Sequence, residues 1–550
     1  MSGFGVLLVT LALQQQPADL IVLNARVYTA DVTRPVAEAF AVRGGRIAFV
    51  GSARGALALA GPRTQRLDLG GQTVIPGMVD AHAHLLGLGQ ALRTVNLVGT
   101  QSYDEVIARV VERAKTARPG EWIRGRGWDQ NDWADTRFPT HQALSRAVPN
   151  NPVYLTRVDG HAALVNAKAL ELAQVTAATP DPTGGRFIRD SAGNPTGVLV
   201  DGAQGVVGRV IPAASHAELR EETLAAIAEA NRWGLTGIHD AGVEADGIAV
   251  YEEIAREGKY DLRNYVMIRG NDEGVDAFMR RGPQLGLYGR LWIRSIKLVA
   301  DGALGSRGAA LLEPYSDDPG NTGLIPTTPE RIKSVAVRAL KAGFQVNVHA
   351  IGDRANRMVL DQFEAAFKEV PVADHRFRIE HAQILRYQDI PRFAELDVIP
   401  SMQGSHQTSD MYWVPNRLGW ARAQGAYAWR SLLNTGVVIP NGSDFPVEAV
   451  NPLISFHSFF TRQDADNFPP GGWMPEQRTT RQEALWSITL WPAYAAFMEN
   501  ESGTLTAGKF ADFVVLDRDI MTVAPEQVLG THVIMTVLGG KTVYRAETPR

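Results

Sequence analysis

A chain of 550 residues with 45% hydrophobic and 21% charged side chains has an ordinary composition for a folded protein and is too long for one small core. A formal charge of -4 with no basic run gives a nucleic acid nothing to bind, so none is expected as a partner. The absence of cysteine excludes disulfides, thiolate metal sites, Fe–S clusters and a cysteine nucleophile, which leaves His, Asp, Glu or a modified Lys for any metal.

At the N-terminus an apolar run from Phe4 to Leu13 has the length of a signal-peptide core and is too short to span a bilayer, although it lacks a basic leader. Residues 1–17 are therefore read as an export signal or a tail, and the protein as periplasmic or secreted, with a cytoplasmic location as the alternative. No integral membrane span is expected.

From residue 18 the chain is β-rich, with a hairpin at Gly44-Gly45, and short strands joined by glycine turns return at 511–517 and 532–544. The two ends are expected to form one small β-sandwich domain, 18–72 plus 503–550. Between them, apolar strand-like runs alternate with helical patterns, the mark of a parallel α/β architecture. A first strand over 73–85 is followed by strands at 236–240, 263–268, 293–299, 345–349, 377–381, 398–402 and 437–444. Helical patterns such as 217–230 and 328–340 lie between them, the latter with Pro329 where a first turn accepts it. This is the pattern of an α/β protein built as a TIM-type (β/α)8 barrel over 73–502, with a doubly wound open sheet as the runner-up. The gap of about 150 residues after the first strand far exceeds a βα crossover, so an inserted subdomain is expected at about 90–230.

The chemistry sits at the strand ends. Residues two apart in a strand share a face, so His82 and His84 can offer two imidazoles to one metal ion. Lys297, His349, His381 and Asp444 likewise fall near the C-terminal ends of predicted strands, the face of a barrel that carries active sites. One such residue has a bland structural explanation; six at equivalent places are hard to dismiss. Asp80 reads as a residue supporting the histidine pair.

Five segments then carry a resemblance: Pro76-Gly-Met-Val-Asp-Ala-His-Ala-His84, Ile296-Lys-Leu-Val-Ala-Asp-Gly-Ala-Leu-Gly-Ser-Arg307, Val348-His-Ala-Ile-Gly-Asp-Arg354, Arg378-Ile-Glu-His-Ala-Gln383 and Asn441-Gly-Ser-Asp-Phe-Pro-Val447. Together they resemble the amidohydrolase superfamily, and within it the branch of YtcJ-like proteins and N-substituted formamide deformylase. Val158-Asp-Gly-His161 and Gly508-Lys-Phe-Ala-Asp-Phe-Val-Val-Leu-Asp517 extend the likeness over almost the whole chain.

The resemblance implies a metal-dependent hydrolase of non-peptide C–N bonds (amide, N-acyl or N-formyl), acting on a small molecule through a metal-activated hydroxide. His82, His84 and Asp444 would hold one divalent ion and His349 and His381 a second, with Lys297 carboxylated to a carbamate that bridges them. Zinc is the first choice of metal, with manganese or iron as alternatives. Asp444 would take the proton from the attacking water and pass it to the leaving nitrogen. Two alternatives stay open at this level: Lys297 as an ordinary lysine paired with Asp301 or a substrate carboxylate, leaving one metal, and Asp444 as a structural ligand only. Candidate substrate contacts are Trp128, Trp133, His161, Ser306, Arg307 and Trp413. The segment Ser401-Met-Gln-Gly-Ser-His406 departs from the Gln-Pro version usual in this branch, and Trp491 stands where asparagine is usual. Competing readings are a lactone or ester hydrolase on the same site and a non-catalytic metal-binding regulatory protein. A homo-oligomer is compatible with the sequence.

Overall fold

The computed structural model describes residues 16–157, 162–182, 185–270, 272–305 and 307–547. The first fifteen residues of the expected export signal lie outside that set. The chain divides into two compact units, one of Met1–Leu85 with Ile227–Arg550 and one of Leu86–Ala226.

The first unit holds a parallel barrel. Its strands are Met78–Ala83, Leu235–Val243, Arg263–Arg269, Leu291–Val299, Gln345–Ala350, Arg378–His381, Ile399–Gln403 and Asn441–Gly442. Each pairs in parallel with the next in chain order. The circle closes where Asp444 N–H donates to the His82 carbonyl at 2.7 Å and His84 N–H to that of Phe445 at 2.9 Å. Strand order without reversal, and this closure, rule out the open doubly wound sheet. The helices between strands begin and end as their sequences direct. In Pro329–Ala342 the Thr328 side chain accepts from Arg331 N–H, proline occupies the first turn, and Gly343 ends the helix at φ +78°.

Two strands differ from expectation. The first does not run unbroken from residue 73. Thr73–Pro76 pairs with Arg26–Tyr28 and Phe513–Leu516 in a terminal sheet, and the barrel strand starts at Met78. The break falls at Gly77, where only glycine fits, because a Cβ there would lie 2.0 Å from Thr236 Oγ1. The eighth, expected over 437–444, is only Asn441–Gly442. Pro440 lacks an N–H, so the approach to it can accept, as from Met402 N–H at 3.0 Å, but cannot complete a ladder.

The chain ends build two further sheets around one core, with Phe40 set edge-on to Phe513 at 5.0 Å. This is the expected sandwich from both termini. The second unit carries a six-stranded sheet with Val95–Asn96 and Gly185–Arg189 as its edge strands and its own apolar core, which includes Trp128, Leu144 and Leu164. Among the described residues no helix is long and apolar enough to cross a membrane.

Candidate metal centre

The six residues singled out at strand ends converge at the mouth of the barrel. Donor atoms of His82, His381 and Asp444, all buried, lie within 4.8 Å of one another. His84 Nε2 is 2.9 Å and His82 Nε2 3.6 Å from Asp444 Oδ1. Lys297, buried, brings Nζ to 3.2 Å from His82 Nε2, and the His349 ring centroid is 4.5 Å from that of His381.

Each imidazole is held from behind. His82 Nδ1 is 2.5 Å from Glu380 Oε2, His84 Nδ1 2.9 Å from the Ala241 carbonyl, and His381 Nδ1 2.8 Å from Gln403 Oε1. An oxygen acceptor at Nδ1 fixes the proton there and leaves a lone pair on Nε2. His349 is turned the other way, its Nε2 3.5 Å from Asp301 Oδ1, which leaves Nδ1 for any ion. Asp301 does not serve Lys297 as the sequence allowed. Its carboxylate takes the N–H groups of Ala310, Ile351 and Gly352 at 2.8–2.9 Å. Asp80 accepts from His82 N–H at 3.1 Å and from the Ser443 hydroxyl at 2.6 Å.

Burial dominates the electrostatics. It pushes His82 down to about 4 and His349 to about 3, with Lys297 adding to both, and holds His381 well below the usual histidine range, so these rings are neutral at physiological pH. Burial lowers Lys297 to about 8 against the attraction of Glu380 and Asp444. It opposes ionisation of Asp444, but in the acid range the pull of protonated His82 and the hydrogen bond from His84 outweigh it and hold the carboxyl well below the usual carboxylate range, so it is charged at neutral pH. His84 is drawn upward by Asp444 in spite of its burial.

These states test whether a cation fits. The Nε2 lone pairs of the neutral His82 and His381 rings face a carboxylate, and Asp444 Oδ1 and His406 Nε2 are buried without an aligned hydrogen bond. The Lys297 ammonium meets one of these acceptors, 3.2 Å from His82 Nε2, while neutral imidazole with carboxylate is the donor set that suits a divalent ion. The residues fit a metal.

Sequence reasoning passed over three neighbours. Glu380 and Gln403 orient ligand rings, and His406 brings Nε2 to 3.8 Å from Asp444 Oδ2 with its ring stacked on His381 at 5.8 Å. An arginine and a glutamate flanking one isoleucine in a strand otherwise expected to be apolar, Arg378-Ile-Glu380, were the available signal for the first.

The substrate candidates divide. Trp128 is fully buried with Nε1 bonded to the Leu155 carbonyl at 2.8 Å, and Trp133 is buried with Nε1 on the Thr100 carbonyl at 3.0 Å. Both pack the core of the second unit and offer a substrate no surface, which corrects that expectation. Arg307 is paired with Asp317 at 2.9 Å, and Trp413 packs beside Gly305 in the loop after the lysine strand with the Arg417 guanidinium 5.6 Å from its ring. His161 and Ser306 lie outside the described residues.

Comparison with known proteins gives one consistent answer. The sequence pattern of the Amidohydrolase family matches residues 65–544. Protein LONG AFTER FAR-RED 3 of Arabidopsis thaliana is 35% identical over 96% of this chain and 92% of its own length. The putative amidohydrolase YtcJ of Bacillus subtilis is 33% identical over 88% and 91%. The N-substituted formamide deformylase of Arthrobacter pascens is 30% identical over 96% and 99%. A crystal structure of an uncharacterized metal-dependent hydrolase from Pyrococcus furiosus superposes with a TM-score of 0.78 at 30% identity, over 92% of this chain and 100% of that one.

Proposed function

The chain belongs to the amidohydrolase family, and from that premise we propose that it hydrolyses a non-peptide C–N bond of a small molecule, an N-formyl or N-acyl amide, at a divalent-metal centre. The observation that carries the reading is the convergence of His82, His381 and Asp444 donor atoms within 4.8 Å, with His84 and Lys297 beside them.

His82, His84 and Asp444 would hold one ion, His349 and His381 a second, and Lys297 as a carbamate would bridge them; zinc is the metal proposed first, with manganese or iron as alternatives. When bound, the metal acidifies a water and polarises the scissile carbonyl. The remaining work falls to side chains. Lowered to about 8, the Lys297 amine is partly neutral near physiological pH, the form that can add CO2, and the resulting carbamate replaces a repelling cation by two anionic oxygens. Asp444 accepts a proton from the attacking water and delivers it to the departing nitrogen, the step an amide needs and an ester needs less. Among the relatives, the formamide deformylase supports the C–N assignment, and the altered segment around Gly404 keeps the particular substrate a matter for measurement.

The experiment begins with metal analysis of protein prepared with bicarbonate and zinc or manganese, where finding no bound metal ends the proposal. The loaded protein is then assayed on N-formyl, N-acyl-amino-acid, cyclic-amide and lactone panels. Turnover of an amide is expected, turnover confined to lactones would replace C–N by ester chemistry, and no turnover with metal in place would favour a non-catalytic protein.

A further inference from the structure

Beneath the metal-binding residues lies a second layer of charge that the reaction does not use. Arg378, Glu380 and Ser401 are wholly enclosed in the barrel, with His82 and His239 nearly so. Barrel interiors are ordinarily filled by branched apolar side chains, and an ion pair buried there gains little stability over them because both charges lose their water. A charged layer at that depth therefore calls for a role other than holding the barrel together.

The contacts point to one. Arg378 Nη2 donates to the Ala81 carbonyl at 2.6 Å and to Ser401 Oγ at 2.8 Å, while Nη1 lies 2.8 Å from His239 Nδ1. Its Nε is 2.8 Å from Glu380 Oε1, an ion pair without hydrogen-bond alignment. The guanidinium thus grips the first strand one residue before His82 and also fixes the carboxylate that meets the His82 ring. The other carboxylate oxygen, Oε2, takes the His82 Nδ1 proton at 2.5 Å. With the Arg378 guanidinium 2.8 Å from its other oxygen, the Glu380 carboxylate is paired as an anion.

The four histidines are not backed alike. His84 and His381 rest on the neutral oxygens of Ala241 and Gln403, and Asp301 sits 3.5 Å from His349 Nε2. Of these four rings, His82 alone has a carboxylate in short contact on the side away from the proposed ion, at 2.5 Å against the 3.5 Å of Asp301 behind His349.

We propose that Arg378 and Glu380 are positioning residues that lock His82 as the Nδ1–H tautomer and raise the donor strength of its Nε2, so that the ion held by His82 is the tightest bound at the site. The anion pulls on the Nδ1 proton and enriches the opposite nitrogen, as a carboxylate behind a ligating histidine does in general. This rests on the metal-centre reading.

The test is zinc affinity of the full-length protein, measured by competition with a chromophoric chelator. In Glu380→Gln an amide oxygen still accepts from Nδ1 while the charge is gone, and the tightest zinc is expected to weaken roughly 10- to 100-fold. The double variant Arg378→Met with Glu380→Gln leaves no unpaired buried charge, and the same loss is expected. Variants that melt earlier but bind zinc as wild type does would make the pair merely structural and overturn the proposal. Wild-type protein that binds none of zinc, manganese and iron would instead sink the metal-centre reading itself. Should neither variant fold, histidine-selective 15N spectra of zinc-loaded wild type decide, with a proton on His82 Nδ1 expected and one on Nε2 overturning the tautomer.

Discussion

The backbone N–H of Asp444 donates to the carbonyl of His82 over 2.7 Å, so a proposed metal ligand just after the last barrel strand is hydrogen-bonded to one in the first. His84 N–H and the Phe445 carbonyl add a second bond at 2.9 Å, and Ser443 joins Asp80 through its backbone N–H and its hydroxyl. With an eighth strand of only two residues, these few bonds are the seam of the barrel. The bonds that close the barrel therefore also set proposed ligands of its two ends side by side.

Gly442 is where that seam is most exposed to change. A Cβ there would lie 2.5 Å from His82 N, 2.7 Å from Asp80 Oδ1 and 2.9 Å from His82 O. Two of those three atoms are backbone and cannot swing aside. Gly442→Ala is expected to cost about 1–3 kcal/mol of stability by overpacking and to reduce zinc uptake as the first and last strands part. Thermal melts and metal analysis check it, and wild-type values for both would show that the seam does not govern the site.

Asp444 contributes to the seam through its backbone, so its side chain can be changed with the closure intact. For Asp444→Asn a melting temperature near wild type is expected, with kcat on an amide lowered roughly 10²- to 10⁴-fold, the usual worth of a general acid–base group. A matched ester should lose less, since its leaving group needs the proton less. Equal losses on the two substrates would count against proton delivery by this residue.

The barrel and the strand-end residues are legible in the sequence because both are local. An apolar run followed by a histidine or aspartate can be read without knowing its neighbours, and the alternation of strand with helix fixes which end those residues occupy. Contacts across strands are not local. Glu380 meets His82 over a separation of 298 residues, and no periodicity in either segment announces the pair. The split at Gly77 is hidden for the same reason, since what forbids a side chain there is Thr236, on the next barrel strand. Tryptophan is ambiguous in another way. Its sequence context says nothing about whether Nε1 finds a backbone carbonyl, and for Trp128 that bond decides between core and pocket.

That distinction can be measured on two tryptophans. Trp128→Ala empties a fully enclosed core position and is expected to cost about 3–5 kcal/mol. Trp413 is half-buried beside Gly305 at the loop after the lysine strand. Trp413→Ala is expected to raise KM for the best substrate of the panel several-fold while the melting temperature stays near that of wild type. An unchanged KM would remove Trp413 from the substrate wall.

A pH dependence arises at His375, remote in sequence from the proposed ligands except His381. Its ring stacks on Phe367 with centroids 3.8 Å apart, and Nδ1 accepts from Phe377 N–H at 3.1 Å, a bond that only the unprotonated nitrogen can make. Burial lowers its pKa against the opposing pull of the Asp397 and Asp374 carboxylates. The folded state therefore takes up the proton at lower pH than the unfolded chain, whose histidine titrates near 6.5. The stability from neutral His375 is complete above that value and is lost as pH falls toward the folded pKa, at no more than about 1.4 kcal/mol per pH unit. In His375→Asn the amide oxygen can still accept from Phe377 but does not titrate. The stability advantage of wild type over this variant should therefore shrink between roughly pH 7.5 and 5, with other titrating groups cancelling in the comparison. Chemical denaturation of the two proteins across that range reads the effect, and an advantage independent of pH would show that His375 is not buried in its neutral form.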